Sequence, residues 1–369
     1  MSGKDLLDEF RVSYLNKNSE GYFREGEEVS FEEIFGKFRT LITGEVGTGT
    51  NFIFQRKLAF DILNNKPNHQ IFIFDADGEV DNYFANDFGI EVRNPFGLAK
   101  TSKWYNPFLL CLQNKSIKYE YMLDEKLYFV KTFFEIAINR DLNKDEETIL
   151  RETLIEMYEP YFKFLEESNK EFDIDVAPTI KDFYKVLKEK SSFLALVVEP
   201  LEFLFYGNID LSTNKHYLLR NNYVREEFLP LLVIVELETI YAMLQTTYIE
   251  NNERKNISLY FCNSYYLMDD KRLFNFFETI TKVLYKKYLV DYTLRATDFE
   301  LIEDAIANNI DVCYCMGQTI RSMGKILDTF NLKYTDYTKE FDMVAHPTVG
   351  EGIKISNKNV RVFKTKRSQ

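Results

Sequence analysis

What the chain lacks narrows it first. No apolar run reaches the roughly 18–20 residues that span a bilayer, and the opening MSGKDLLDEF is acidic, unlike an export signal. Neither a membrane span nor a leader is expected. Cysteine is scarce, with four residues at Cys111, Cys262, Cys313 and Cys315, and the three histidines His69, His216 and His346 do not cluster in sequence. A metal site would need more ligands close by. Cys262, Cys313 and Cys315 fall in apolar, strand-like runs, where a free cysteine acts as a small hydrophobe; they read as buried thiols of a reducing cytoplasm. Positive charge is also in deficit. Lys and Arg number 46 against 58 Asp and Glu, a net charge of −12, which argues against a broad basic face for duplex DNA. Internal repeats and low-complexity linkers are missing as well.

What remains is a globular chain of 369 residues, long enough to bury a large core and to hold two or three domains. Phe and Tyr are abundant, at 33 and 24, and are assigned to the core rather than to a base-stacking platform. Residues 38–43 (FRTLIT) read as a short buried strand. A glycine turn follows, and then NFIFQRKLAFDILN at 51–64 with helical spacing. A second strand runs from Gln70 to Phe74 and ends at Asp75. From 117 to about 205 the periods are helical, and Thr179 with Asp182 three residues on has N-cap spacing. Residues 139–147 read as a solvated loop and helix start. Strands are expected again at 229–236 (LPLLVIVE) and 257–262. After them come a helix (271–287), a strand (288–294), a helix (298–308), a strand (310–316) and a helix (318–330). Such alternation means a doubly wound, largely parallel α/β sheet, and the tail at 348–365 suggests a terminal hairpin.

The turn itself, Gly44-Glu45-Val46-Gly47-Thr48-Gly49-Thr50-Asn51, has the glycines of a phosphate-binding loop in the strand–turn–helix–strand setting that such a loop requires. In the consensus G-x-x-x-x-G-K-[ST], Lys reaches the β/γ-phosphates and the hydroxyl holds Mg²⁺. Here Thr50 stands in the Lys place and Asn51 in the Ser/Thr place. The glycines are explained equally well by turn geometry and by a residual anion site at the helix N-terminus. Asp75, Asp77 and Glu79 read first as a strand end and turn, with a paired-carboxylate site as the competing reading.

Set side by side, the segments resemble the motor domain of the conjugative-transfer ATPases of type IV secretion, the VirB-type and TraC-like members of the HerA/FtsK superfamily, over roughly residues 36 to 365. Ile71-Phe72-Ile73-Phe74-Asp75-Ala76-Asp77-Gly78-Glu79 resembles the family's strand ending in D-P-E-G-E, and Tyr105-Asn106-Pro107-Phe108 its I-N-P-F. Leu232-Val233-Ile234-Val235-Glu236-Leu237 resembles the strand before the Walker B segment. SLYFCNSYYLM, Ser258 to Met268, resembles the Walker B segment itself. Against that pattern Cys262 stands for the Walker B Asp and Asn263 for the catalytic Glu, while Tyr265 takes the Trp place. Lys286-Lys287-Tyr288 sits at the family's R-K-Y, a basic pair available to a neighbouring subunit's nucleotide. Asp298 replaces the Gln that closes the next strand, and Gly350-Glu351-Gly352 resembles the closing G-E-G hairpin.

The resemblance implies a RecA-like P-loop NTPase core at 36–116 and 206–369, a helical insertion at 117–205 and an N-terminal extension at 1–35. From the resemblance, no counterpart of the family's large N-terminal docking region is expected in these residues. The resemblance also implies lost chemistry. Phosphoryl transfer needs positive charge on the phosphates, a held Mg²⁺ and an oriented water, and Thr50, Asn51, Cys262 and Asn263 supply none of these well. Three lost charge-assisted contacts at about 1.5–3 kcal/mol each compare with the about 8 kcal/mol of micromolar binding, so Mg–ATP is expected to bind at millimolar level or not at all. The chain is therefore expected to be a cytoplasmic pseudo-ATPase without cofactor. It would act at the inner-membrane face through protein partners of a conjugation or secretion apparatus: an active motor ATPase, or further copies of itself. Two other readings stand beside this one. The first is an active translocase using Mg–ATP, with Asp75 and Glu79 on the metal and Lys57 or Lys287 on phosphate. The second is a DNA-binding ring subunit that uses no nucleotide.

Overall fold

The computed structural model describes residues 39–63, 69–80, 82–93, 106–111, 119–205, 216–220, 224–251, 256–302, 304–346, 351–356 and 359–364. The N-terminal extension, Tyr105 and Gly350 lie outside the described residues. The strands are β1 (Thr40–Thr43), β2 (His69–Asp75), β3 (Glu91–Arg93), β4 (Tyr217–Arg220), β5 (Asn256–Phe261), β6 (Asp291–Ala296), β7 (Val312–Cys315), β8 (Glu351–Ser356) and β9 (Asn359–Lys364). They form one sheet in the order β3-β4-β2-β5-β6-β1-β7-β8-β9. From β3 to β7 every pairing is parallel; β8 and β9 close the edge as an antiparallel hairpin, as the tail suggested. The helices are α1 (Thr50–Leu63), α2 (Asn82–Asp87), α3 (Tyr119–Ala137), α4 (Lys144–Ser168), α5 (Ile180–Lys190), α6 (Ser192–Val198), α7 (Leu229–Asn251), α8 (Tyr265–Asp269), α9 (Lys271–Tyr288), α10 (Asp304–Ala307), α11 (Ile320–Thr329) and α12 (Thr338–Ala345).

Side chains alternate across a strand, and here both faces are covered. Ile42, Ile71, Ile73 and Tyr260 pack with Ile53, Phe54 and Leu58 of α1 on one face. Leu41, Phe72, Phe74, Leu259 and Phe261 join the larger core with α7, α9 and the helical block on the other. That burial on both faces is why the strands read as unbroken apolar runs.

The helical block α3–α6 is built from clear start signals. The Asn143 side chain accepts from the backbone of Asp145 and Glu146 at 3.0 and 2.9 Å, and the Glu146 carboxylate accepts from Asn143 N at 3.0 Å, which closes a capping box. At α5 the Asp182 carboxylate accepts from both the backbone N and the Oγ1 of Thr179, each at 2.8 Å. The segment Asn106-Pro107-Phe108 staples this block to the sheet. Lys126 of α3 donates to the Pro107 carbonyl at 2.5 Å and to Glu238 of α7, while Tyr158 donates to the Phe108 carbonyl. The Phe108 ring stacks on Phe183 and Phe205 at 5.4 and 5.8 Å, so part of the aromatic excess is core.

One expected strand is corrected. Residues 229–236, and with them the likeness of Leu232–Leu237 to a strand before Walker B, belong to α7. Pro230 sits in its first turn, where a missing N–H is no loss. Leu231–Val235 are all buried, so no polar face sets a period, and an apolar run of that length does not distinguish a buried strand from a buried helix. The strand that enters the sheet in this part of the chain is β4. The helix expected at 298–308 is instead a 3₁₀ turn at Phe299–Leu301 followed by the single turn α10.

Candidate functional site at the sheet rim

The glycine loop leaves the end of β1, in the middle of the sheet, and is tied on both sides. Gly44 N donates to the Ala296 carbonyl at the end of β6 at 3.3 Å, and Glu45 N to the Gly317 carbonyl after β7 at 2.8 Å. Inside the loop, Thr48 N and Oγ1 both donate to the Glu45 carbonyl, at 3.2 and 2.7 Å. Gly47 and Gly49 have φ of +88° and +106°, a region that side chains rarely adopt. A Cβ on Gly44 would lie 2.6 Å from Met316 Cβ and 2.9 Å from Thr48 Oγ1. Turn geometry and close approach thus constrain all three glycines. Thr50 opens α1 and is buried; Asn51 follows it, half-buried.

On the α1 side of the rim, adjacent strands bring Arg220, Asp75, Cys262, Arg295 and Ile42 into one cross-strand row, since Asp75 pairs with Arg220, Phe74 with Phe261, Phe261 with Leu294 and Ile42 with Arg295. The Asp75 carboxylate is fully buried and caps its own turn, accepting from Glu79 N at 2.9 Å and Val80 N at 3.2 Å, with Arg220 Nε 4.0 Å away. Burial pushes the Asp75 carboxyl up, against the pull of those two N–H groups and Arg220. Burial also pushes the Cys262 thiol well above its ordinary value, so it stands as a thiol and not a thiolate. Asn263 donates its amide to Asp77 at 2.7 Å. Glu79 is ion-paired with Arg295, whose Nε donates to the Cys262 carbonyl.

The remaining predicted positions fall elsewhere. Asp298 N-caps the 3₁₀ turn through Glu300 N at 2.9 Å and accepts from Ser322. Lys57 is buried against Asp61 at 3.0 Å, with Tyr260 donating to the same carboxylate. Lys286 and Lys287 are exposed in the last turn of α9. That turn precedes β6, so they lie at the sheet end opposite the loop. The sequence reading missed Arg295 because its expected strand stopped at 294; with the strand running to Ala296, a charged residue at an inward position is the signal that finds it.

Mg²⁺ is the ion such a loop holds, through a hydroxyl after the Lys and a Walker B carboxylate. The residues here do not fit it. Thr50 and Asn51 replace the Lys and the hydroxyl, Cys262 is a neutral soft donor for a hard cation, and both Asp75 oxygens accept backbone N–H groups. Glu79 already faces a guanidinium. Among the described residues no group of three or more His, Cys, Asp or Glu is placed to hold a metal.

Comparison with solved structures defines the class: this is a RecA-like P-loop core with a mostly parallel sheet. VirB4 of Thermoanaerobacter pseudethanolicus matches with a TM-score of 0.67 at 16% identity, over 94% of this chain and 95% of that one. The bacterial conjugative coupling protein TrwB, in its unbound form, matches with a TM-score of 0.51 at 11% identity over 90% of this chain and 85% of that one. TrwB in complex with ADP and Mg²⁺ matches equally, at 12% identity over 90% and 86%. At these identities the likeness is one of fold. No protein-family model matches the sequence, and no curated protein matches it.

Proposed function

We propose that this chain is a non-catalytic, P-loop-fold component of a conjugative or type IV secretion machine, acting at the cytoplasmic face of the inner membrane through protein contacts. The observation that carries the reading is a fold kept whole around a rim whose charge-bearing groups are absent or spent: Thr50 for Lys, Asn51 for the hydroxyl, Cys262 and Asn263 for the two carboxylates. The likeness to VirB4 and to a conjugative coupling protein supports the setting. It partners an active motor ATPase or further copies of itself. The rim supplies a contact surface for this: Val46 at the loop tip is 88% exposed and Ile320 at the start of α11 is 82% exposed. The bond from Glu45 N to the Gly317 carbonyl fastens their two turns together. These two exposed apolar side chains are the positions we assign to contact with a partner.

Two measurements test this. The first is equilibrium binding of a non-hydrolysable ATP analogue with and without Mg²⁺; micromolar, Mg²⁺-dependent binding would overturn the inactive reading. The second is sedimentation of the chain alone and mixed with an intact P-loop motor of the same transfer system. A complex that Val46→Asp and Ile320→Asp weaken is expected, whereas no complex in either setting would refute assembly. Salt-sensitive binding of single-stranded DNA would instead favour a DNA-binding ring subunit.

A further inference from the structure

The rim described above has a cation of its own. Arg295 comes from β6, the strand between the loop strand β1 and the Walker B-like strand β5. It is in register with Ile42, two residues before Gly44, and on the same face as α1. Its side chain is 8% exposed and is held from below by the bond from Nε to the Cys262 carbonyl, the backbone of the residue in the Walker B Asp place. Its partner, Glu79, is the accessible half of the pair at 30% exposure. It sits on a turn whose Gly78 has φ of +73°, and the Asp75 carboxylate holds that turn through Glu79 N.

The electrostatics then run opposite to those of a metal site. A divalent cation would meet a guanidinium and carboxylates already engaged by backbone N–H groups, Asn263 and Arg295. An anion would meet a planar fork of N–H donors suited to phosphate oxygens in pairs, beside the turn from β1 into α1. The Cys262 carbonyl holds Nε of that fork, and Glu79 stands on the terminal N–H groups that an anion would take.

We propose that Arg295 is the resident cation of this rim, taking the place of Mg²⁺, and that the site's ligand is a metal-free phosphoanion, a di- or triphosphate, which enters by displacing Glu79. The Glu79–Arg295 pair is then a latch that mimics the occupied state in the empty protein. This rests on the replacement of the loop's lysine and of the residues that would hold its metal, and not on which machine the chain serves.

The test uses the full chain, titrated with inorganic tripolyphosphate in excess chelator and again in Mg²⁺. Wild type is expected to bind weakly. Glu79→Gln keeps the side chain's shape and removes its charge, and is expected to bind at least tenfold tighter than wild type, with no further gain from Mg²⁺. Adding Arg295→Gln to that variant is expected to abolish the gain, with circular dichroism as the check on folding. If Arg295→Gln does not fold, Arg295→Lys, which keeps the charge without the fork, is expected to retain only part of it. The proposal is overturned if Glu79→Gln gains nothing, if its gain needs Mg²⁺, or if the gain survives loss of Arg295. The Glu79→Gln arm alone decides if neither Arg295 variant folds. Mg²⁺-dependent ATP binding by wild type would strike the inactive reading, and the tripolyphosphate series judges the latch separately.

Discussion

Replacing Lys126 by Met tests how the helical block is fastened to the sheet. Lys126 and Glu238 are 2% and 5% exposed, on α3 and α7, and Lys126 also donates to the Pro107 carbonyl at 2.5 Å. Met fills most of the lysine volume, so little cavity forms and the loss is electrostatic. Glu238 is left as a buried carboxylate with no counter-charge, which costs about 3–5 kcal/mol, a large fraction of the roughly 5–15 kcal/mol that stabilises a domain. Removing both charges with Lys126→Met and Glu238→Leu leaves nothing uncompensated and is expected to be neutral, or to stabilise by about 1–4 kcal/mol. The sign with pH follows from Glu238. Burial already pushes its carboxyl up against the pull of Lys126, and losing the lysine pushes it further. The folded state then binds more protons than the unfolded one, so stability falls as pH rises above the ordinary carboxylate value of 4.5. The single variant's deficit should therefore be largest near neutrality and shrink on acidification. Urea unfolding followed by circular dichroism, at neutral pH and near pH 5, measures all three proteins. A single variant within about 1 kcal/mol of wild type, or a double variant as unstable as the single, would refute the reasoning.

Other expected outcomes are as direct. Gly44→Ala drives a methyl into Met316 and Thr48 and should destabilise by about 1–3 kcal/mol; Gly47→Ala meets nothing within 4 Å and should cost about 1–2 kcal/mol through its φ of +88° alone. Both are read from urea midpoints. Asp75→Asn removes a buried carboxyl that is raised in the folded state, and so should flatten the fall of stability with rising pH above 3.8; an unchanged slope would show that Asp75 titrates as in the unfolded chain. Asp311 is pushed up by burial, but hydrogen bonds from Arg39, at 2.7 and 3.0 Å from the guanidinium, outweigh this and hold it low. The deficit of Arg39→Ala should then be full above 3.8 and close as pH falls below it, as measured by acid unfolding.

How much of this was legible in sequence depended on whether the signal was local. The β1–loop–α1–β2 unit could be read because turn glycines and a change of hydrophobic period stand next to each other in the chain. The N-cap at Thr179 and the terminal hairpin were equally local, whereas the capping box at Asn143 lay in a stretch read only as a solvated loop and helix start. α7 defeated the same method because it is apolar on every side and carries the Val and Ile expected of a strand. β4 offers only four residues, and its pairing with β2 is decided far away in sequence. The rim was half legible. Thr50, Asn51, Cys262 and Asn263 could be set against the resembled motifs residue by residue, but the partner of Glu79 could not, because Arg295 lies 216 positions on and reaches it only once β5 and β6 are side by side.

The loop's two anchors have a mechanical consequence. Gly44 is fastened to the end of β6 and Glu45 to the turn after β7, and Met316 N donates back to the Thr43 carbonyl at 2.8 Å. The loop is a rivet through three strand ends and not a free flap. A force applied at Val46 is delivered at once to the strand end that carries Arg295 and to the turn that leads into α11. A neighbour pressing on that tip can therefore transmit a displacement across the middle of the sheet, from the end of β6 to the turn after β7, through backbone hydrogen bonds alone.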